Sequence, residues 1–293
     1  MLAVHRAGGV LAASDVLGVT PSAVSQQIAR IEAEEGFAVL DRGPRGVSLT
    51  PAGHVLAEAA ERIEAELVEA RQVIAALGDG VQGLVKIGAF QSAIRAIIAP
   101  AISLLDDRFP GVSLDIRETE SVDSLRKLRT GDMDLVVLER DAEMRNPAPK
   151  GSHDVVLIDE PWRLVIPADL PPPTTLSDLA AMTFVAATAG SASDRALQRV
   201  AGTLGTQLNT VHSWYDFDTA IALVAAGQGG VLLPSLALHE NFAPPGTVRV
   251  VPLEGLGERQ IFLRHRSTRH EPGPAVRAVV EVMTEVAGSL VLA

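Results

Sequence analysis

Residues 12–32 decide the fold of the first part of the chain, and they read AASDVLGVTPSAVSQQIARIE. A short apolar helix is expected over residues 10–17, because Gly18 interrupts the run. Thr20 is a favourable N-cap for a second helix, and Pro21 suits the first helical position, where its missing N–H would be unsatisfied in any case. Two short helices joined by a tight glycine turn are typical of a helix-turn-helix motif.

The second helix of this motif has an apolar side and a polar side. Helical spacing of apolar residues predicts its buried stripe, formed by Ala23, Val24, Ile28 and Ile31. The side chains that fall largely outside the stripe are polar: Ser22, Ser25, Gln26, Gln27 and Arg30. Small hydroxyl and amide side chains on an exposed second helix are what a recognition helix presents to a DNA groove. Gly36 ends the helix.

A hairpin is expected next, because residues 41–49 read DRGPRGVSL, with a glycine and proline tip between strand-like residues. Such a wing can lay Arg42 and Arg45 along a phosphate backbone. After the wing, Thr50 and Pro51 repeat the cap and first-position pattern of the recognition helix and predict a long helix that continues to Gly78.

The long helix carries apolar residues at spacings that alternate between four and three: Leu56, Ala60, Ile63, Leu67, Ala70, Ile74 and Leu77. A repeat that averages 3.5 residues keeps one side of a helix facing a partner helix, which is the coiled-coil condition. We interpret these residues as a dimerisation stripe. Packing of the stripe on the chain's own body is the alternative.

From about Gln82 onward, strand-like and helix-like stretches alternate, which predicts an α/β domain with helices on both faces of a sheet. Its length suits two small subdomains with a cleft between them. Separate strands are expected over residues 155–158 and 164–166. Crossings between the subdomains are expected near residues 161–162 and 264–266.

Composition and charge exclude several classes of protein. The formal net charge of −11 argues against nucleic acid for the chain as a whole, but residues 1–55 are close to neutral, so charge does not decide the question. The absence of cysteine excludes disulfides, thiolate metal sites and cysteine nucleophiles. With no signal peptide and no apolar run of about 20 residues, we expect a cytoplasmic protein without a membrane partner.

Enzyme motifs are missing from the sequence. The seven histidines are scattered, and no pair has the i, i+4 spacing of a helical zinc site. There is no phosphate-binding loop or nucleophile elbow, and the glycines of residues 227–230 precede a strand, whereas a dinucleotide loop follows one. We therefore predict no catalytic residue, no metal site and no cofactor. A solute-binding protein would need a secretion signal in place of the helix-turn-helix.

These residues resemble the LysR-type transcriptional regulator family. The stretches that carry the resemblance are residues 12–32, 40–42, 45–53, 85–89, 128–135 and 223–234. The resemblance covers essentially the whole chain and implies a multidomain α/β protein. Its expected parts are a winged helix-turn-helix (residues 1–49), a coiled-coil linker helix (50–80) and a periplasmic-binding-protein-like effector domain (81–293). Within that domain, subdomain I is expected at about 81–160 and 265–293, and subdomain II at about 161–264.

The resemblance implies a regulator that binds double-stranded promoter DNA as a homodimer or homotetramer, contacts RNA polymerase and responds to a small-molecule effector. The residues expected at the DNA are Thr20, Pro21, Ser22, Ser25, Gln26, Arg30, Arg42 and Arg45. Among them, the Gln26 amide can read a base edge with two hydrogen bonds, and the arginines neutralise phosphates.

The family's effector lies between the two subdomains, and the expected contacts are turns at the starts of helices, where backbone N–H groups favour an anion. These residues are Gln91, Ser92, Ser121, Thr188, Ser191, Asp216 and Phe217. Ordinary helix capping is the alternative role for the serine, threonine and aspartate side chains among them.

One departure from the family concerns the first helix. Family members have more residues before the position of Leu2, so this helix looks truncated. Either the start of the chain is misplaced, or the domain is less stable than its relatives. An alternative function follows from that departure: a protein-interaction or solute-binding module that has lost DNA binding.

Overall fold

The computed structural model describes residues 1–43, 46–75, 80–119, 121–142, 147–149, 151–238, 243–267 and 272–292. The chain divides into two compact units. The first contains residues 1–78 together with 129–132, and the second contains the remainder.

The first unit is a helical domain with a small hairpin, followed by a long helix. Its elements are α1 (Leu2–Ala7), α2 (Val10–Leu17), α3 (Pro21–Glu35), β1 (Leu40–Gly43), β2 (Gly46–Leu49) and α4 (Pro51–Ala75). The Thr20 hydroxyl accepts the Ala23 N–H, as expected of an N-cap, and Gly36 ends α3 in the left-handed conformation. The two strands pair antiparallel from Leu40 opposite Leu49.

Side chains of α3 and of Thr50, the residue before α4, hold the hairpin in place. The Glu32 carboxylate accepts the N–H groups of Val39 (2.9 Å) and Leu40 (3.1 Å), at the entrance to β1. The Thr50 hydroxyl donates to the Ala38 carbonyl at 2.8 Å and accepts the Gly53 N–H at 3.0 Å. The hairpin is therefore tied to α3 on one side and to the start of α4 on the other.

The second unit has two lobes. The first lobe contains β3 (Gln82–Ala89), α5 (Gln91–Ala93), a π-helical turn (Ile94–Ile98), α6 (Ala99–Arg108), β4 (Gly111–Glu118), α7 (Ser121–Thr130) and β5 (Leu135–Asp141). β6 (Ser152–Pro167) runs through both lobes. The second lobe contains β7 (Thr183–Ala187), α8 (Ala192–Leu204), β8 (Asn209–Trp214), α9 (Phe217–Ala225), β9 (Val231–Pro234) and β10 (Val248–Val251). The chain then returns to the first lobe as β11 (Glu258–Arg266) and α10 (Pro274–Ser289).

β6 is one continuous strand, so the expectation of two separate strands over residues 155–158 and 164–166 is wrong. The strands of the largest sheet lie in the order β10-β6-β11-β5-β3-β4, with β9 also on β6. Through Pro161 the partner of β6 is β11, and from Trp162 onward its partners are β9 and β10. Pro161, near which the sequence predicts a crossing between subdomains, lies at the point where the strand changes partners.

A β-bulge at Leu157 changes which side chains of β6 face the same way. Before it, Val155 lies opposite Leu263, and after it, Glu160 lies opposite Arg259. Because strand side chains alternate between faces, Val155 and Glu160 share a face only when one extra residue intervenes. The bulge therefore turns Glu160 towards the face that carries Arg259.

The return of the chain to the first lobe comes earlier than the sequence pattern indicated. β11 pairs with β5 from Arg259 through His265. Residues 258–264 thus belong with the first lobe, whereas the expected boundary put them in subdomain II. The sequence pattern could not assign this strand to a lobe, because its consecutive apolar residues Ile261, Phe262 and Leu263 fit partners in either lobe.

A Gly53→Ala substitution is expected to destabilise the first unit by about 1–3 kcal/mol through overpacking. A Cβ at Gly53 would lie 2.2 Å from the Val39 carbonyl oxygen, so the backbone has to shift. Hydrogen exchange at the amides of Val39 and Leu40 should become faster. The matched control is Gly202→Ala in α8, where a Cβ would have no neighbour within 4 Å. Unchanged exchange in the Gly53 variant would contradict this packing.

Candidate functional site

The polar side of α3 is exposed and its apolar side is buried. Ser22 and Gln26 are exposed and Ser25 is half-buried, while Val24 and Ile28 are buried in the core of the first unit. Thr20 and Pro21, at the start of the helix, are also exposed. The helix thus presents a surface of hydroxyl and amide groups that is free to approach the edges of bases.

The arginines expected at the DNA backbone have different surroundings. The Arg30 side chain is 71% exposed, and its Nε donates to Glu34 Oε1 at 2.8 Å. An exposed i, i+4 pair is worth about 0.3–0.5 kcal/mol, so a phosphate can displace Glu34. Arg42 lies in β1, and Arg45 lies outside the described residues.

The apolar stripe of α4 is uncovered in the single chain. The exposed fractions are 63% for Ile63, 58% for Leu67 and 65% for Ile74, and Ala70 is exposed as well. Leu56 and Ala60 are half-buried near the start of the helix, and Leu77 lies outside the described residues. A row of exposed apolar side chains at heptad spacing needs a partner surface to leave water.

Two of the expected effector contacts lie at the start of α5. Gln91 is exposed, whereas Ser92 is fully buried and its hydroxyl accepts from Arg259 Nη2 at 3.1 Å. Ser121 is the first residue of α7. Ser92 is therefore part of a buried polar network, and Gln91 is its exposed neighbour.

The second-lobe candidates have structural roles within their own turns. The Ser191 hydroxyl caps α8 by accepting the Asp194 N–H at 3.2 Å, and Asp216 caps α9 by accepting the Thr219 N–H at 2.8 Å. These are the capping roles that the sequence left open. The exposed Thr188 donates its hydroxyl proton to the Trp214 carbonyl at 2.8 Å.

Asp216 changes the charge of the α9 N-terminus. Hydrogen bonds from the backbone N–H and the hydroxyl of Thr219 hold the pKa of Asp216 below its ordinary value. The helix end is therefore already balanced by a carboxylate, which disfavours an anion there. The neighbouring Phe217 packs its ring 5.9 Å from that of Trp214.

Arg259 is the centre of a buried polar network at the boundary of the two lobes, and no sequence pattern predicts it. Its Nε donates to Glu160 at 2.7 Å, its Nη1 to Glu139 and its Nη2 to Ser92. Its guanidinium also lies 5.1 Å from the ring centre of Phe90. Burial disfavours the charge, but Glu139 and Glu160 outweigh that effect, so the pKa of Arg259 is raised above its ordinary value.

Glu160 connects this network to the second lobe. It is fully buried, and its second oxygen accepts the Leu236 N–H at 2.6 Å. Arg95, from the π-helical turn of the first lobe, donates to the Leu236 carbonyl at 2.7 Å. Both backbone groups of Leu236, just after β9, are thus bound by side chains from outside the second lobe.

The aromatic residues near the crossings differ in burial. Trp162 and Trp214 are buried in the core. Tyr215 is 75% exposed and lies outside the core. Within the described part of the chain, no group of three potential metal ligands comes together. None of the helices described there is long and apolar enough to span a membrane.

Two family models match the chain along most of its length. Residues 1–54 match the bacterial regulatory helix-turn-helix protein of the lysR family, and residues 78–288 match the LysR substrate binding domain. The chain belongs to the LysR family of transcriptional regulators. The helix-turn-helix match supports DNA binding over the alternative of a module that has lost it.

Curated relatives align with the chain at moderate identity. It is 27% identical over 231 residues to the uncharacterized HTH-type transcriptional regulator YybE of Bacillus subtilis, covering 78% of this chain and 77% of that protein. It is 26% identical over 277 residues to the DNA-binding transcriptional dual regulator OxyR of Escherichia coli, covering 93% and 88%.

Solved structures share the fold. A cysteine variant of full-length OxyR from Pseudomonas aeruginosa matches with a TM-score of 0.66 at 22% identity, covering 99% of this chain and 95% of that one. Full-length CbnR complexed with its target DNA matches with a TM-score of 0.57 at 19% identity, covering 97% and 96%. At these identities the likeness concerns the fold alone. This LysR-family chain contains no cysteine, so it cannot sense an oxidant through a thiol of its own.

A Glu160→Gln substitution is expected to destabilise the second unit by about 3 kcal/mol, because it leaves a buried arginine short of one counter-charge. Both tryptophans of the chain lie in this unit, so denaturant unfolding followed by tryptophan fluorescence measures the change.

The control for this substitution is Arg108→Ala, which removes the exposed ion pair between Arg108 and Glu285 (2.6 Å). The Arg108→Ala variant is expected to lose less than about 1 kcal/mol of unfolding free energy. Equal losses of unfolding free energy in the two variants would mean that burial of the Glu160 ion pair adds nothing to its contribution to stability.

Proposed function

We propose that this LysR-family regulator reads promoter DNA with the exposed side of α3, while the wing and Arg30 hold the phosphate backbone. The observation that carries the proposal is that Ser22 and Gln26 are exposed and Ser25 is half-buried, whereas Val24 and Ile28 are buried. Small side chains let the helix approach the major groove closely. The Gln26 amide then has the geometry to bind an adenine edge with two hydrogen bonds.

The proposed role of Thr20 and Pro21 is to bring the start of the helix to a phosphate. Thr20 caps α3, so the positive end of the helix dipole lies beside it. Arg30, Arg42 and Arg45 would add charge along the backbone. Such contacts set the position of the helix on the duplex but carry little sequence information.

Substitutions on α3 should separate base reading from charge. Gln26→Ala is expected to relax the preference at one base pair by about 1–3 kcal/mol. Arg30→Ala should weaken binding to all sequences and reduce the slope of log affinity against log salt by about 1. Fluorescence anisotropy with the upstream intergenic DNA, at several salt concentrations, measures both effects.

Glu34→Ala is the matched control for the arginine substitution. It releases the Arg30 guanidinium from its pair, so binding should tighten about twofold, as expected for loss of an exposed competitor. If neither the Gln26 nor the Arg30 variant differs from the unaltered chain, α3 is not the reading helix. Absence of DNA binding by the unaltered chain would favour an interaction module.

We propose that α4 pairs two copies of the chain through the stripe of Ile63, Leu67 and Ile74. Two recognition helices then address half-sites about one helical turn apart, on a DNA site with approximate two-fold symmetry. Further pairing through the effector domains would give a homotetramer. The bound regulator would act in the cytoplasm by contacting RNA polymerase. It would have no catalytic role of its own.

A Leu67→Glu substitution is expected to shift the chain to monomer at micromolar concentration, because a carboxylate replaces an apolar residue in the middle of the stripe. Analytical ultracentrifugation measures the distribution. The control is Glu66→Ala, which alters the exposed neighbour outside the stripe and should leave the assembly unchanged. A Leu67 variant that assembles as well as the unaltered chain would assign dimerisation to another surface.

The proposed effector site lies between the lobes of the second unit. It would use Gln91 and Ser92 from the first lobe, with Ser121 at the start of α7, and Thr188 and Ser191 from the second. Asp216 and Phe217 would form its edge. An effector changes promoter binding only if its affinity differs between two arrangements of the lobes.

A further inference from the structure

Two arginines of the second lobe bind two carboxylates of the first. Arg195 and Arg199 lie one turn apart on α8, and Glu139 and Asp141 lie two residues apart on β5. Arg195 Nη2 lies 3.3 Å from Glu139 Oε1, and Arg199 forms an ion pair with Asp141. We call these four residues the interlobe clamp.

The spacing of the clamp residues on the helix matches their spacing on the strand. Four residues of α-helix rise about 6 Å. Two residues of a β-strand rise about 6.7 Å and return to the same face. An i, i+4 pair of arginines on α8 can therefore meet an i, i+2 pair of carboxylates on β5 at the same time. The two ion pairs reinforce one another, because forming the first aligns the partners of the second.

The Arg199 pair is the better enclosed of the two. The exposed fractions are 20% for Arg199 and 18% for Asp141, so water and salt screen this pair less than a surface pair. Arg199 Nη2 also donates to the Leu256 carbonyl, where the chain returns to the first lobe. A Cβ on Gly257 would lie 2.7 Å from this nitrogen, so the glycine leaves the space that the guanidinium fills.

The Arg195 pair continues into both turns that face the proposed effector site. Arg195 Nη1 donates at 2.6 Å to the carbonyl of Gly190, in the turn before α8. Glu139 also binds Arg259, which in turn donates to Ser92 at the start of α5. A continuous series of charged and polar contacts thus joins Gly190 of the second lobe to Ser92 of the first.

We propose that the interlobe clamp sets the closure of the two lobes in the absence of an effector, and that Arg195 is the positioning residue that couples closure to the effector-facing turn. The second part rests on the proposed function, because that function assigns the effector to these turns. Arg95 and Glu160 also bind Leu236 across the lobes, so loss of the clamp loosens the lobes without separating them.

The absence of cysteine allows a direct test on the full chain. Cysteines introduced at Ser103 in α6 and Ala222 in α9 are exposed, lie in different lobes and avoid the clamp elements. Spin labels at these two positions report the distance between the lobes by pulsed dipolar spectroscopy. Mixing with excess unlabelled chain removes distances between copies. The two labels are present in every variant below.

Asp141→Asn, which keeps the side-chain size, is expected to broaden the distance distribution and shift it to longer values. The reciprocal exchange Asp141→Arg with Arg199→Asp should restore the narrow distribution, because the pair reforms with its charges exchanged. Arg195→Gln, at a side chain that is 51% exposed and therefore tolerant of change, should give a smaller shift in the same direction. Tryptophan fluorescence confirms that each variant is folded.

Arg108→Ala is the matched control, because it removes an arginine–carboxylate pair that lies wholly within the first lobe. Its distribution should coincide with that of the unaltered chain. The proposal is overturned if the Asp141→Asn and Arg195→Gln distributions also coincide with it, or if the exchanged pair stays as broad as the single substitution. The test uses neither DNA nor effector, so failure of promoter binding and failure of the clamp are distinguishable.

Discussion

The buried pair of Glu160 and Arg259 is the interaction on which the second unit depends. Glu160 is fully buried on β6, the strand that runs through both lobes, and it lies one residue before that strand changes partners. A carboxylate in such a place is tolerated only with a counter-charge and hydrogen bonds, which Arg259 and the Leu236 N–H supply. The bulge at Leu157 orients Glu160 towards this pair.

The pair of Glu160 and Arg259 contributes more to the positioning of the surrounding elements than to the free energy of unfolding. Desolvation of two charges offsets much of their attraction, so an apolar replacement of similar size can be equally stable. An apolar pair would leave the Leu236 N–H without its side-chain acceptor, and it would not bind Ser92. The charged network instead fixes α5, β5, β11 and the turn after β9 relative to one another, which are the elements around the proposed effector site.

The first unit could be predicted from the sequence in detail, because its signals are local. Thr20, Pro21 and Gly36 mark the two ends of α3 within seventeen residues of chain, and the structure places its helix ends at these residues. The α4 stripe is equally local, since heptad spacing is visible along one helix. Resemblance to a known family then added the order of the domains, which local patterns alone do not supply.

The network between the lobes could not be predicted in the same way. Glu160 and Arg259 are 99 residues apart, and no local pattern links a charge in one strand to a charge in another. The bulge reverses the alternation of side chains between the two faces of β6, so the sequence alone does not show which of these residues share a face. The sequence did place Ser92, Ser191 and Asp216 at helix starts, but it could not distinguish capping from ligand binding, since both use the same atoms.

The chain contains no cysteine, so no disulfide joins its lobes. The proposed effector signal would pass through non-covalent contacts between the lobes, such as those of Glu160 and Arg195. Any such signal reaches a promoter only if two copies hold their recognition helices at a fixed separation. Control of a promoter would thus depend on DNA reading by a paired α3.

Hydroxyl-radical footprinting of the full chain on its upstream intergenic DNA tests whether a pair of α3 helices reads the DNA. We predict two protected blocks of similar length, centred about one helical turn or ~10 base pairs apart and related by two-fold symmetry. A single protected block, or uniform weak protection without a defined site, would contradict recognition by a pair of helices.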